Sequence, residues 1–228
     1  MAIIYSKKEA VNLCLPVVTC YRDYGLKEAV EVLQQQLLVK KVKFPALEAA
    51  AHFLASQIPS SEQLFLCEQI MNLHTIGGNV IVGILLQKRL EQSLFETLKI
   101  AAQFIIKESV WYACDIIGER VWGVALLTYP NEVLPFLATI KPTDDIWLVR
   151  LIGIAGHYAI KKGLSFEADE VLFQLILNHQ NHKSILVKKA IAWSAKTTKR
   201  CHPGIPIHYQ HLWGKQNGGS VWFASALK

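Results

Sequence analysis

No aspartate or glutamate follows Glu170. The last 58 residues carry Lys183, Lys188, Lys189, Lys196, Lys199, Arg200, Lys215 and Lys228, a net charge of +8, whereas the first 170 hold 16 basic against 18 acidic residues. So concentrated a basic field points to a polyanionic partner, nucleic acid ahead of an anionic membrane surface, because no lipid-insertion helix accompanies it. Long apolar runs are missing as well. The longest uncharged stretch, Gln69 to Gln87, is broken by Asn72, His74, Gly77, Gly78 and Asn79, which excludes a lipid-facing helix. Met1 to Tyr5 runs straight into Ser6, Lys7, Lys8 and Glu9 without the apolar core of a signal peptide. The cysteines Cys14, Cys20, Cys67, Cys114 and Cys201 are odd in number and include no Cys-x-x-Cys pair, a pattern expected of reduced thiols in a cytoplasmic protein, most of them small core residues.

What is present is apolar and helical. At 228 residues, 52% hydrophobic and 18% charged, the chain is able to bury a sizeable core, which excludes disorder, collagen and a disulfide mini-protein. Alternating strand patterns are scarce, and helix signals recur. Ser6 with Glu9 makes a capping box, and Pro16 is expected to bend or interrupt the helix it opens. Further helices are predicted after Gly25, from Phe44-Pro45 to Ala55, from Ser60 or Ser61 to Asn72, from Gly78-Asn79 to Leu90, and from a second capping box at Ser93 and Glu96 to Ser109. Trp111 to Thr128 forms the next, broken by Tyr129-Pro130. A short helix capped by Asn131, one from Asp144 or Asp145 to Gly163, one from Ser165 and a last one from Lys183 to Arg200 complete the series. Helices of roughly 12 to 18 residues with short connections suit stacked antiparallel pairs. The expected fold is therefore all-α, an α-solenoid of HEAT-like antiparallel helix pairs with a concave basic face over residues 1–203, followed by a C-terminal tail at 204–228.

Three predicted helices place polar groups on one face. Trp111 and Asp115 are four apart, with Gly118 and Trp122 continuing the stripe. Read alone, that is a functional pair or a core tryptophan with a surface aspartate. Arg150, His157 and Lys161 share a cationic stripe that Gly153 lets something approach, or else form a solvated face. Lys189, Trp193, Lys196 and Arg200 fall at spacings of four, three and four. Cations for phosphates around an aromatic face suit DNA, and a buried anchor tryptophan with snorkelling lysines is the competing reading. Cys201, His202, His208 and His211 match no standard zinc spacing, so no metal is expected, and the Gly77-Gly78 pair lacks the strand and Lys-Ser/Thr of a phosphate loop. Tyr21, Tyr24 and Phe44 read as packing residues.

In order, Ser109-Val-Trp111-Tyr-Ala-Cys-Asp115, Asp145-Ile-Trp147-Leu-Val-Arg150 and Lys189-Ala-Ile-Ala-Trp193 resemble the AlkD-type DNA alkylation repair glycosylases, over about Gly77 to Pro203. The resemblance implies a HEAT-like-repeat enzyme of base excision repair that hydrolyses the N-glycosidic bond of cationic alkylated purines, such as 3-methyladenine and 7-methylguanine, in duplex DNA without metal or organic cofactor. It makes Asp115 the catalytic carboxylate, Trp111 and Trp193 aromatic walls, and Arg150 the residue that holds the backbone beside the lesion. It further implies that the lesion need not enter a deep pocket, unlike the usual base-flipping enzyme. Val110 stands where that family usually has an aromatic and Tyr112 where an acid is frequent, and the part before Gly77 lacks the family's aromatic-Gly and Pro-Arg landmarks.

The residue types suit this chemistry, since a cationic purine departs neutral and positive charge collects on the sugar, where a carboxylate stabilises it. Lys189, Lys196, Arg200 and His157 complete the expected DNA-binding set. A monomer is expected, cytoplasmic and associated with the nucleoid when on DNA. The competing functions are an idle relative that binds nucleic acid and a HEAT-like protein-protein adaptor, the acid-free final quarter favouring nucleic acid over the adaptor. Duplex DNA binding is predicted to weaken steeply between about 50 and 200 mM salt, as counterions are released from several phosphates. A binding constant that does not change with salt removes the DNA reading.

Overall fold

The structure is a computed structural model that describes residues 3–213 and 220–227. Lys215 and Lys228 of the basic quarter lie outside the described residues, as does the 214–219 part of the expected tail. The chain divides into two compact units, Met1–Thr97 and Leu98–Lys228.

In the first unit, α1 (Lys7–Tyr24) begins where Ser6 Oγ accepts the Glu9 N–H, and Gly25, in the left-handed region at φ 99°, turns the chain into α2 (Leu26–Leu33). Pro16 does not interrupt α1, which runs continuously through it. The chain continues from α2 through a π-helical turn at Gln34–Leu38, α3 (Phe44–Gln57), α4 (Ser60–Met71) and α5 (Ile76–Arg89). A two-residue parallel ladder, β1 (Ile3–Ile4) on β2 (Lys41–Val42), is a detail that the helical expectation omits. Helix α5 starts earlier than Gly78-Asn79 suggests, because Thr75 is the cap and its hydroxyl accepts the Gly78 N–H at 3.0 Å. Every residue from Gly78 to Leu86 is buried. Burial of that segment accounts for the absence of charge from Gly78 to Leu86. Of the aromatics read as packing residues, Tyr21 reaches Glu62 Oε1 at 3.0 Å, whereas Tyr24 and Phe44 are exposed.

The division between the units falls within α6 (Leu94–Glu108). In the second unit, α7 (Trp111–Ile117) passes through a π-helical turn, Gly118–Gly123, into α8 (Val124–Thr128). Then come α9 (Pro130–Ala138), α10 (Ile146–Lys161), α11 (Phe166–Asn178), α12 (Ile185–Cys201), α13 (Gly204–His208), α14 (Gln210–Trp213) and α15 (Val221–Ala226). Pro130 itself takes the first helical position of α9, one residue before the expected cap at Asn131. The fold is all-α.

Helix α10 is the centre of this unit, buried continuously from Val149 to Gly156. It packs against α12 on one side and against the π turn on the other. A β-carbon on Gly153 would overlap the Ala190 carbonyl and stand 2.6 Å from the Ile191 nitrogen, and one on Gly123 would stand 2.7 Å from the Tyr158 ring. Backbone therefore touches backbone where α10 crosses α12. Trp122, stacked on Phe136 at 5.6 Å and 8°, is fully packed.

Described residues beyond 203 pack onto the helices that precede them. Ile205 and Phe223 are fully buried, Phe223 lies 6.3 Å from Phe173, and α15 packs on α12.

His179 closes α11, and burial, with His182 adding to it, lowers its pKa to about 4. The fold holds this imidazole neutral while the unfolded chain protonates near 6.5, so its contribution is whole above pH 6.5 and is lost as pH falls toward 4. The stability advantage of wild type over His179→Asn is expected to shrink by about 3 kcal/mol from pH 7 to pH 4. Urea titrations at several pH values measure it, and an advantage constant across that range refutes it.

Candidate functional site

The connection between α6 and α7 is a tight corner. Ser109 sits in the left-handed region at φ 53°, a conformation that costs a non-glycine residue about 1 kcal/mol or more. Its hydroxyl accepts the Trp147 indole N–H at 3.0 Å, and the Trp147 carbonyl accepts the Cys114 thiol at 3.7 Å. Trp147 is in turn fixed by Asp145, which caps α10 and accepts the Trp147 backbone N–H at 2.8 Å. The first turns of α7 and α10 are thus locked together by residues of two separate motifs.

Across that junction Arg150 meets Asp115. Arg150 Nε donates to Oδ1 at 2.9 Å and Nη2 to Oδ2 at 2.8 Å, a bidentate pair. Nη1 donates to the Leu186 carbonyl at the start of α12, so one guanidinium joins α7, α10 and α12. The Arg150 side chain is 3% exposed and that of Asp115 14%. Burial pushes the Asp115 carboxyl above the usual aspartate range, and the charge and hydrogen bonds of Arg150 oppose that rise. With both oxygens accepting from a guanidinium, the ionised carboxylate is the form this geometry holds.

Arg150 therefore does not belong to an exposed cationic stripe. Its Nε, Nη1 and Nη2 donors point to a carboxylate and a carbonyl, and the residue is buried. Along that row Arg150 is buried, His157 half-buried and Lys161 exposed, so only its far end is a solvated face. Trp111, four residues before Asp115, is 57% exposed and makes an edge contact with Tyr112. Trp122, on the same sequence stripe, is 2% exposed, because it lies in the wider π turn against the Phe136 ring.

On α12, Lys189, Trp193, Lys196 and Arg200 are all exposed. Between them run the buried positions Ala190, Ile191, Ser194, Ala195, Thr197 and Thr198, so the helix is split into a core face and a basic face. Trp193 is consequently no buried anchor. Its ring lies 5.9 Å from the Arg150 guanidinium carbon and 6.1 Å from the His157 ring. Burial, with Lys161 and Arg200 nearby, lowers the His157 pKa. The structure thus brings Asp115, Arg150, Trp193 and His157 together, sets Trp111 one turn before the carboxylate, and arrays Lys189, Lys196 and Arg200 along the helix that carries Trp193.

Sequence reasoning missed the buried Asp169, which accepts from Thr198 Oγ1 at 2.9 Å and from His202 Nδ1 at 2.8 Å and ties α11 to the end of α12. Asp169 lies in the first turn of α11 and His202 just past the end of α12, 33 residues apart, so no local spacing pairs them. Among the described residues, no helix is long and apolar enough to cross a membrane.

A family model described as DNA alkylation repair enzyme matches residues 30–205. The chain belongs to the DNA alkylation repair enzyme family. No curated protein and no solved structure matches it. The family places the chain in DNA alkylation repair, with the Asp115–Arg150 pair and both exposed tryptophans inside the matched region.

The pair is testable by stability. Asp115→Asn leaves the buried Arg150 charge uncompensated and is expected to cost roughly 3 to 5 kcal/mol. Arg150→Leu in the same chain should restore a large part of that loss. A double-mutant cycle in urea checks it, and strictly additive losses show that the side chains are uncoupled.

Proposed function

We propose that this chain is a monofunctional DNA-alkylpurine glycosylase of the AlkD type, acting as a monomer on cationic alkylated purines such as 3-methyladenine and 7-methylguanine in duplex DNA. The observation that carries the reading is a carboxylate, Asp115, anchored bidentately on a buried arginine and flanked by exposed tryptophan faces. The C1′–N bond breaks with its electron pair passing to the purine, which leaves neutral. Water then bonds to C1′ and gives up a proton. Because the base is already a good leaving group, neither a general acid nor a metal is required, and the carboxylate has only to stabilise the cationic sugar. The electron-rich faces of Trp111 and Trp193 favour a positively charged nucleotide over a neutral one.

Arg150 takes a different part from the one that the resemblance implied. It fixes the plane of Asp115, so the carboxylate meets the developing charge without reorganising. The exposed cations Lys189, Lys196 and Arg200 supply phosphate contacts along α12, a basic DNA-facing surface.

The experiment is single-turnover release of 7-methylguanine from a duplex, with the dissociation constant measured alongside. Asp115→Asn is expected to slow release about 100-fold or more, assayed below its own unfolding transition, with binding retained. Trp111→Ala and Trp193→Ala should mainly reduce release, whereas Trp122→Ala should mainly cost stability, about 3 to 5 kcal/mol. Release by Asp115→Asn within about twofold of wild type refutes the role of this carboxylate.

A further inference from the structure

Trp193 presents an exposed ring, 43% accessible, yet the helical turn beneath it is tied to α10 by a chain of hydrogen bonds. Thr197 Oγ1 donates to the Trp193 carbonyl at 2.8 Å, which commits its only proton. His157 Nδ1 lies 2.7 Å from the same hydroxyl oxygen. With the hydroxyl proton spent, that contact requires Nδ1–H to donate to Thr197 and leaves Nε2 as the unprotonated nitrogen of the neutral ring. The order of donation is therefore His157 to Thr197 to the Trp193 carbonyl. Arg150, seven residues earlier on α10, approaches the same indole as His157. One helix thus supplies two neighbours of the ring, one of which also holds Asp115.

We propose that His157 and Thr197 are positioning residues that hold the Trp193 ring at a fixed place relative to Asp115, so that a cationic nucleotide meets aromatic face and carboxylate together. The proposal rests on the glycosylase reading for its consequence in catalysis, but the positioning itself is a property of the free protein. A threonine bonded back to the residue four before it is ordinary in helices and by itself only bends them slightly. The second bond, from another helix, is what distinguishes Thr197, because it removes the freedom of that turn to slide along α10. Thr197 is buried, which limits the water that could replace either bond. Burial, and behind it Lys161 on its own helix and Arg200 on α12, lowers the His157 pKa, and a hydrogen bond with the Trp193 backbone opposes that shift.

The test has two arms. In protein labelled with 5-fluorotryptophan, with the Trp193 and Trp111 resonances assigned from their phenylalanine variants, Thr197→Val is expected to shift or broaden the Trp193 fluorine signal and leave that of Trp111 in place. Thr197→Ser, which keeps the hydroxyl, should restore the wild-type line. No ring is altered in either variant, so the signal reports the environment of Trp193. In the second arm, single-turnover release of 7-methylguanine should fall roughly tenfold in Thr197→Val and in His157→Leu, and no further in the double variant, with the duplex dissociation constant little changed in Thr197→Val. His157→Asn, which presents an amide donor near the Nδ1 position, should recover most of the rate. A Trp193 line unchanged by Thr197→Val overturns the proposal, and so does a loss that serine and asparagine fail to rescue. Wild type that releases no base refutes the glycosylase reading, while the fluorine arm still decides the positioning.

Discussion

The candidate site depends on a charge pair that cannot be left half made. A guanidinium almost wholly withdrawn from water requires partners for its charge and its N–H groups, and here they come from Asp115 and the Leu186 carbonyl. Three helices contribute to that single requirement. The local structure around it follows, since Ser109, Cys114, Asp145 and Trp147 hold the first turns of α7 and α10 in the relation that lets Arg150 reach across. The carboxylate that would do chemistry is thus also a structural element. Stability and activity are measured on the same side chain.

Around this pair the exposed groups are divided by type. Trp111 and Trp193 are exposed, and the cations of α12 face away from the core. A family of DNA alkylation repair enzymes is a natural home for such a surface, in which a buried ionic pair, two aromatic faces and a basic helix stand together.

Much of this was legible in the residues. Helix boundaries with caps, such as Ser6, Asp145 and Ser165, fall where side-chain chemistry put them, because a cap is a local bond between near neighbours. The basic stripe of α12 was equally local, its spacing placing Lys189, Trp193, Lys196 and Arg200 on one line, though not saying whether Trp193 was exposed or a buried anchor. What a one-dimensional pattern does not contain is the partner of a side chain. Arg150 looked like a surface cation by its spacing from Lys161, and its burial depends on Asp115, 35 residues away in the chain. The burial of Phe223 beside Phe173 depends likewise on a partner distant in the chain. The π turn escaped notice as well, since the sequence of a widened turn differs little from that of an ordinary one, and Trp122 was counted onto the wrong face in consequence.

The crossing of α10 over α12 at Gly153 has a bearing on how a ligand would be received. Where main chain rests on main chain, no side chain separates the helices, so there are no rotamers to sort and none to freeze when something binds. The spacing between the helix that carries Arg150 and the helix that carries Trp193 is then decided once, during folding. A nucleotide arriving at these residues meets a frame whose ordering entropy has already been lost, which leaves its own contacts free to act on the reaction instead of on assembling the site.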